Sequence, residues 1–233
     1  MKTSETPAIT LQTVGGVAAL YLATAYLAAM PFFLLFIGDP AEQTPTEQVS
    51  TLVAHHWPLH VAYLGTYVVF GIVLAVLALA LHDRLQTVAP VLARVAAVVG
   101  VLWGGALLAS GLIYNTGMAA VVDVHATDPG RAASLWQAIE PVSQGLGGAD
   151  GELLGGLWVL LVSLAGLRGP LPRRLGWLGL VVGTAGLLSV IPPLQPAAYA
   201  FGLLQLVWFG WLGVALLRSS RQAAPRAVEP IAV

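Results

Sequence analysis

The stretch GADGELLGG at 148–156 holds two acidic residues in unusual surroundings. Asp150 and Glu152 are flanked by glycines and followed by an unbroken apolar run. A carboxyl group in apolar surroundings can relay protons, bind a cation or protonate an apolar substrate. Two helical residues two positions apart point about 200° apart, so a close acid–base dyad is not expected. Glu152 is the better candidate for an acid that faces the protein interior.

Two interpretations of this stretch are open. The glycines at 147, 151 and 155 are spaced by four, which is typical of a closely packed membrane helix. Counting back about 20 residues, the length of a membrane span, from Arg168 also includes both acids. We therefore favour a helix that carries the acids in its first turns, near the lipid headgroups. In the alternative, the acids are simply hydrated at a helix N-terminus, where the helix dipole favours negative charge.

The histidines offer a second kind of chemistry. His56 and His60 are four residues apart, a spacing common among zinc ligands on one helical face. In the predicted topology His125 lies on the same outer side of the bundle as these two residues, and it is the third candidate ligand. These residues predict a site for a divalent metal such as zinc. Pro58 lies between the first two, however, and histidines at a helix end or a membrane interface are often only structural.

Polar residues also occur inside an otherwise apolar segment, at Tyr114 and Asn115. Such residues commonly form hydrogen bonds between membrane helices and nothing more. If the protein is an enzyme, they join Glu152 and Asp150 as candidate catalytic residues. This requires Glu152, Asn115 and His60 to meet in one cavity.

The elements that position these residues are predicted from composition and length. Hydrophobic residues make up 58% of the 233 residues and charged residues only 9%, against about 25% charged residues in soluble domains. A chain with so few charges is expected to face lipid. The sequence predicts an all-α polytopic membrane protein. Its six transmembrane helices are expected at about 14–37, 58–81, 95–119, 147–167, 175–191 and 197–217.

The basic residues predict the orientation of these helices. If connections alternate between two sides, nine of the ten Lys and Arg residues fall on one side and only Arg131 on the other. Positive charge is enriched on the cytoplasmic side, so both termini are predicted to be cytoplasmic. The chain then has a cytoplasmic segment at 1–13, a bundle at 14–217 and a cytoplasmic tail at 218–233 that we expect to be disordered. The predicted location is the bacterial inner membrane, with multiple passes.

Two short outer helices are expected to lie on the bundle in the interface. Thr44 and Glu47 fit a capping box, with Pro45 at the first helical position. Asp128 fits the cap of a second helix near 129–139, which is expected to end before Pro141.

Three segments give the chain a resemblance to a large family of six-helix bacterial integral membrane proteins, known only as a domain of unknown function. They are GDP at 38–40, ALALHDRL at 78–85, and the block from 155 to 187 that contains LPRRLG at 171–176. The similarity runs from about Gly15 to Leu217. It implies a fold and a location, but no reaction and no catalytic residues.

Several classes of function are excluded by the sequence. There is no cysteine, so thiolate metal sites and disulfides are absent. The glycine-rich stretch lacks the Lys-Ser/Thr and the strand–turn–helix context of a phosphate loop. The basic residues are explained by topology, so no nucleic-acid partner is expected.

Three hypotheses remain. The leading one is an integral membrane protein of undefined activity, with an outer-facing surface for sensing or partner binding. The second is a membrane enzyme that acts on an apolar lipid or isoprenoid through an outer-half pocket containing Glu152 and histidines. The third is a small transporter or proton-coupled carrier. Membrane lipid and an apolar small molecule are the expected partners, and the glycine ridges are compatible with a homo-oligomer.

Overall fold

The computed structural model describes residues 10–36, 43–147 and 152–223, and these are all-helical apart from short connections, with no strand. A π-helical segment, Leu64–Val69, joins α3 and α4 into one continuous helix, and a short 3-10 turn covers Pro192–Leu194. The helices are α1 Leu11–Phe36, α2 Pro45–Ala54, α3 His56–Tyr63, α4 Phe70–Leu85, α5 Pro90–His125, α6 Pro129–Gly147, α7 Leu153–Gly166, α8 Arg173–Leu188 and α9 Ala197–Ala223.

Four helices within the described ranges are long and apolar enough to cross a membrane. They are α1, the continuous α3–α4 helix, α5 and α9. The all-α class and the membrane character predicted from the sequence are therefore confirmed. The remaining two predicted spans, α7 and α8, have 14 and 16 residues, fewer than the roughly 20 that a bilayer crossing usually needs.

Side-chain hydrogen bonds show which helix ends lie together. Gln12 Nε2 donates to the Leu216 carbonyl at 3.1 Å, which joins the start of α1 to the last turns of α9. Arg84 Nη2 donates to the Pro170 carbonyl and to Ser219 Oγ, both at 3.2 Å. We call this the arginine end of the bundle. The opposite end carries α2 and α6 and is called the cap end.

The core of the bundle is built around Trp158 in the middle of α7, which is fully buried. Its ring centroid lies 5.8 Å from that of Trp103 in α5 and 5.8 Å from that of Trp208 in α9. Phe201 and Phe209 complete this cluster. On its other side, α7 packs closely against α8.

Glycines allow this close contact between α7 and α8. A Cβ atom at Gly156 would lie 2.7 Å from the Leu187 backbone nitrogen and 2.8 Å from the Gly183 carbonyl oxygen. The predicted ridge at 147, 151 and 155 is not formed as one surface, because Gly147 ends α6 whereas Gly155 is in α7. The middle glycine lies outside the described residues.

Helices α2 and α6 pack on each other and on α5 at the cap end. Val49 of α2, Met118 of α5 and Trp136 of α6 are buried in a cluster there, separate from the main core. The capping box of Thr44 and Glu47 is present as predicted. The two helices therefore cover the bundle through their apolar faces.

The second cap helix is longer than predicted. It was expected to stop before Pro141, but α6 continues through this proline to Gly147. Proline removes one backbone donor, while its fixed φ remains compatible with a helix. Ser110 Oγ of α5 donates to the Ser143 carbonyl at 2.7 Å and holds the extended part against the bundle. The predicted span at 147–167 was correspondingly wrong at its start, since α7 begins at Leu153.

Replacement of Gly183 by alanine is expected to destabilise the bundle by about 1–3 kcal/mol, the usual cost of overpacking. A Cβ there would lie 2.7 Å from the Gly156 carbonyl oxygen, and backbone cannot move away as a side chain can. The measurement is the free energy of unfolding in mixed micelles. Gly105→Ala is the matched control, because no atom lies within 4 Å of a Cβ at that position. Equal stability of the two variants would contradict the proposed backbone contact.

The capping box predicts that the stability of helix α2 depends on pH. The Thr44 backbone N–H and hydroxyl both donate to the Glu47 carboxylate, and these hydrogen bonds lower the pKa of Glu47. The stabilisation is therefore present above the ordinary Glu pKa of about 4.3 and is lost as the pH falls through the lowered value. Hydrogen exchange at the α2 amides, corrected for intrinsic rates, should show this loss. Glu47→Gln should abolish the pH dependence, because it removes the titrating carboxyl group, whereas the exposed control Thr46→Val should retain it.

Candidate functional site

A cavity of about 540 Å³ lies between α1 and α9 toward the cap end. Its walls come from α1, the π-helical segment, the start of α4, the middle of α5 and the first half of α9. Among the described residues, Glu152 is the only carboxylate in this wall, and no Lys, Arg or His lines it. The rest of the lining is mostly apolar and aromatic.

Glu152 occupies the N-cap position of α7, directly before the first helical residue Leu153. Its backbone N–H donates to Ser189 Oγ at 3.0 Å, and this hydroxyl in turn donates to the Gly186 carbonyl at 2.7 Å. The end of α8 therefore fixes where α7 starts. The preferred helical interpretation is corrected for this acid, which precedes the helix; Asp150 lies outside the described residues.

Gly155 lets two groups of the site approach each other. A Cβ at this position would lie 2.8 Å from Trp103 Cζ2 and 3.0 Å from Glu152 Oε2. The Glu152 carboxyl group and the edge of the Trp103 indole thus both lie next to the α-carbon of Gly155. Any larger residue here would displace one of them.

Aromatic rings form much of the cavity wall. Tyr26, Tyr67, Phe70 and Trp103 all line it together with Glu152. Tyr26 and Phe70 contact edge to face, with ring centroids 5.4 Å apart. Nothing in their spacing in the sequence marks these tyrosines, so their place beside the acid was missed. Their hydroxyl groups are the main polar partners that the cavity offers besides the carboxylate.

The π-helical segment places part of this wall. It contributes Thr66 and Tyr67, and π-helical turns occur frequently at functional sites. Tyr21 of α1 donates its hydroxyl to the Gly65 carbonyl at 2.8 Å, which satisfies one backbone acceptor of the segment. No hydrophobic periodicity in the sequence marks this change in helical pitch.

The cavity opens sideways, between the lipid-facing surfaces of α1 and α9. Leu27 and Met30 of α1 are 65% and 52% exposed, and Tyr199 and Leu203 of α9 are 75% and 55% exposed. All four belong to the cavity lining and to helices long and apolar enough to span a membrane. The cavity is therefore open on the side that these helices would turn toward lipid.

The predicted metal ligands do not line this cavity. His56 and His60 share α3, as the spacing predicted, and their ring centroids are 6.2 Å apart. His125 is the last residue of α5. In the described part of the chain no three His, Asp or Glu residues are grouped closely enough to hold a metal ion.

Tyr114 and Asn115 are buried elsewhere in α5. Tyr114 stacks on Tyr63, with ring centroids 4.4 Å apart, in the cluster under the cap helices. Asn115 is buried, and neither atom of its amide has a hydrogen-bond partner among the described residues. The predicted meeting of Glu152, Asn115 and His60 in one cavity is not observed, since only Glu152 lines it.

No family model matches the chain, and no curated protein or solved structure is significantly similar to it. The resemblance to the six-helix family stays a prediction. The function must be inferred from the site itself.

Replacement of Ser189 by alanine should destabilise the protein by about 1–3 kcal/mol, because it leaves the Glu152 N–H without its buried acceptor. The free energy of unfolding is the readout. Ser134→Ala is a suitable control, since this exposed hydroxyl only donates to the carbonyl four residues earlier in its own helix. A loss no larger than that of the control would show that Ser189 does not anchor the start of α7.

Proposed function

We propose that this protein is a six-span membrane receptor that binds an amphipathic, membrane-soluble small molecule in the cavity beside Glu152. The observation that carries this proposal is the sideways opening between α1 and α9, lined by exposed apolar residues and leading to the Glu152 carboxylate. A volume of about 540 Å³ is within the usual range of small-molecule sites, about 300–1,000 Å³.

The predicted topology supports an outer-leaflet site. At about 1.5 Å per residue, the 14 residues of α7 extend over about 21 Å, less than the roughly 30 Å hydrocarbon core. With the arginine end in the cytoplasm, as the distribution of basic residues predicts, α7 would begin below the outer headgroups. Glu152 would then be within reach of the polar group of a molecule inserted in that leaflet.

Tyr67 connects the cavity to the cap helices. It lines the cavity, and its ring centroid is 5.7 Å from those of Tyr63 and Tyr114. Tyr114 in turn contacts Trp136 of α6, with ring centroids 6.0 Å apart. A ligand that displaces Tyr67 would disturb this stack, so ligand binding would be sensed at the outer surface built by α2 and α6.

Binding explains the lining better than transport or catalysis. Below the cavity, toward Arg84, α4 contributes the fully buried Leu74, Leu77 and Leu81 to an apolar core. A carrier would need polar groups along that path. An enzyme would need a second catalytic group beside the acid. Among the described residues of the lining, the side-chain hydroxyl groups near Glu152 come only from tyrosine and threonine.

A photoreactive alkyl alcohol that carries a diazirine on its chain tests the proposal. With the protein in lipid nanodiscs, labelling should concentrate on the α1 and α9 residues of the cavity and should saturate. Gly202→Phe should reduce this labelling several-fold, because Gly202 lines the cavity and has open space around its α-carbon, so the ring can occupy the site.

Gly105→Phe is the matched control, since position 105 is equally open but lies outside the cavity. It should label like the unchanged protein. Uniform labelling of all lipid-facing surfaces, or equal labelling of both variants, would overturn the proposed binding site.

A further inference from the structure

The chemistry of the cavity also points to a class of ligand. We propose that the molecule bound there is an amphipathic organic cation, whose ammonium group lies between the Glu152 carboxylate and the aromatic rings of the wall. This inference rests on the proposed function, because it names the ligand of the same cavity.

The first support is the charge balance. Glu152 lies among apolar and aromatic neighbours, and no basic side chain of the described residues lines the cavity with it. A carboxylate in such surroundings is costly unless it is paired with a positive charge. The described residues of the lining do not supply this charge, and a cationic ligand would do so. An anionic ligand would instead be repelled.

The second support is the start of α7. Glu152 is at the N-cap of this helix, and its side chain accepts no hydrogen bond from the backbone N–H groups there. Its carboxyl oxygens therefore remain available to a ligand in the cavity. The Ser189 hydroxyl accepts a hydrogen bond from the Glu152 backbone N–H. The side chain of Glu152 lines the cavity.

The third support is the aromatic wall. Tyr26, Tyr67, Phe70 and Trp103 line the cavity with the acid. Aromatic rings attract cations through their quadrupoles, and groups of such rings recognise quaternary ammonium groups. Trp103 lies near the acid, since its Cζ2 and Glu152 Oε2 both contact the position of a Cβ at Gly155. The combination of rings and one acid distinguishes this cavity from a purely apolar cleft.

The remaining lining accommodates an alkyl tail. Leu27, Met30, Leu203 and Leu206 line the cavity on its α1 and α9 sides, and the first three are exposed toward lipid. A single-chain amine or quaternary ammonium compound could thus place its head at Glu152 and its tail in the lateral opening. The entire ligand would remain within the membrane.

The experiment compares two diazirine probes of equal chain length, an alkyltrimethylammonium and the alkyl alcohol, in nanodiscs of zwitterionic lipid. Half-maximal labelling of the α1 and α9 cavity residues should require about 10-fold less of the ammonium probe. Glu152→Gln should remove this preference and leave the alcohol labelling. Glu140→Gln, which neutralises a half-buried carboxyl group of α6 outside the cavity, should retain the preference.

The outcomes separate the two proposals. Equal half-saturation for both probes would overturn the cation inference while the binding function stands. If neither probe labels the cavity, both fail. Tetramethylammonium provides a second test: it should compete with the ammonium probe in the unchanged protein, and this competition should be lost in Glu152→Gln. Failure to compete would also overturn the inference.

Discussion

The backbone contact between α7 and α8 determines where the carboxyl group of the cavity lies. Gly156 of α7 lies against Gly183 and Gly186 of α8, and a Cβ at Gly186 would be 3.1 Å from the Glu152 carbonyl oxygen. In a bilayer, lipid tails are as apolar as leucine, so helix association depends on close van der Waals fit and on hydrogen bonds. Here both act at one end of the pair, through the glycines and through the Ser189 hydroxyl. The start of α7 is therefore fixed by its neighbour.

The cavity follows from how α1 and α9 pair along their lengths. At the arginine end their backbones are close, since a Cβ at Gly213 would lie 3.0 Å from the Gly16 carbonyl oxygen. Toward the cap end the lining of the two helices includes large residues such as Tyr26 and Leu206, and the cavity lies there. Pro31 also lies in this part of α1, where it removes one backbone hydrogen bond of the helix. The same two helices thus seal the bundle at one end and leave it open at the other.

The sequence was sufficient to predict the long helices and one cap, because these depend on local patterns. Apolar runs identify α1, α5 and α9, and the residues of the capping box identify the start of α2. It was insufficient for the site, because the neighbours of Glu152 come from helices distant in the chain. Tyr26 of α1 and Trp103 of α5 approach the acid through the lateral order of the bundle. Hydrophobic periodicity contains no information about that order.

Local signals also failed where tertiary contacts compensated for them. Pro141 is normally a reason to end a helix, yet α6 continues through it against α5. The π-helical segment has no sequence signature, yet it determines where Tyr67 lies. The short length of α7 was not predicted, because the regular spacing of glycines on both sides of the acids indicated one helix that includes them. In each case the deciding interaction is made with another helix.

The lateral opening between α1 and α9 changes what occupancy of the cavity means. A site reached from the bilayer equilibrates with the ligand dissolved in lipid, so the mole fraction of ligand in the membrane, and not its aqueous concentration, sets the fraction bound. An apolar compound with a large partition coefficient is concentrated in lipid before it meets the protein. Modest intrinsic affinity is then enough for high occupancy, and an apparent dissociation constant expressed per volume of water will vary with the amount of lipid present.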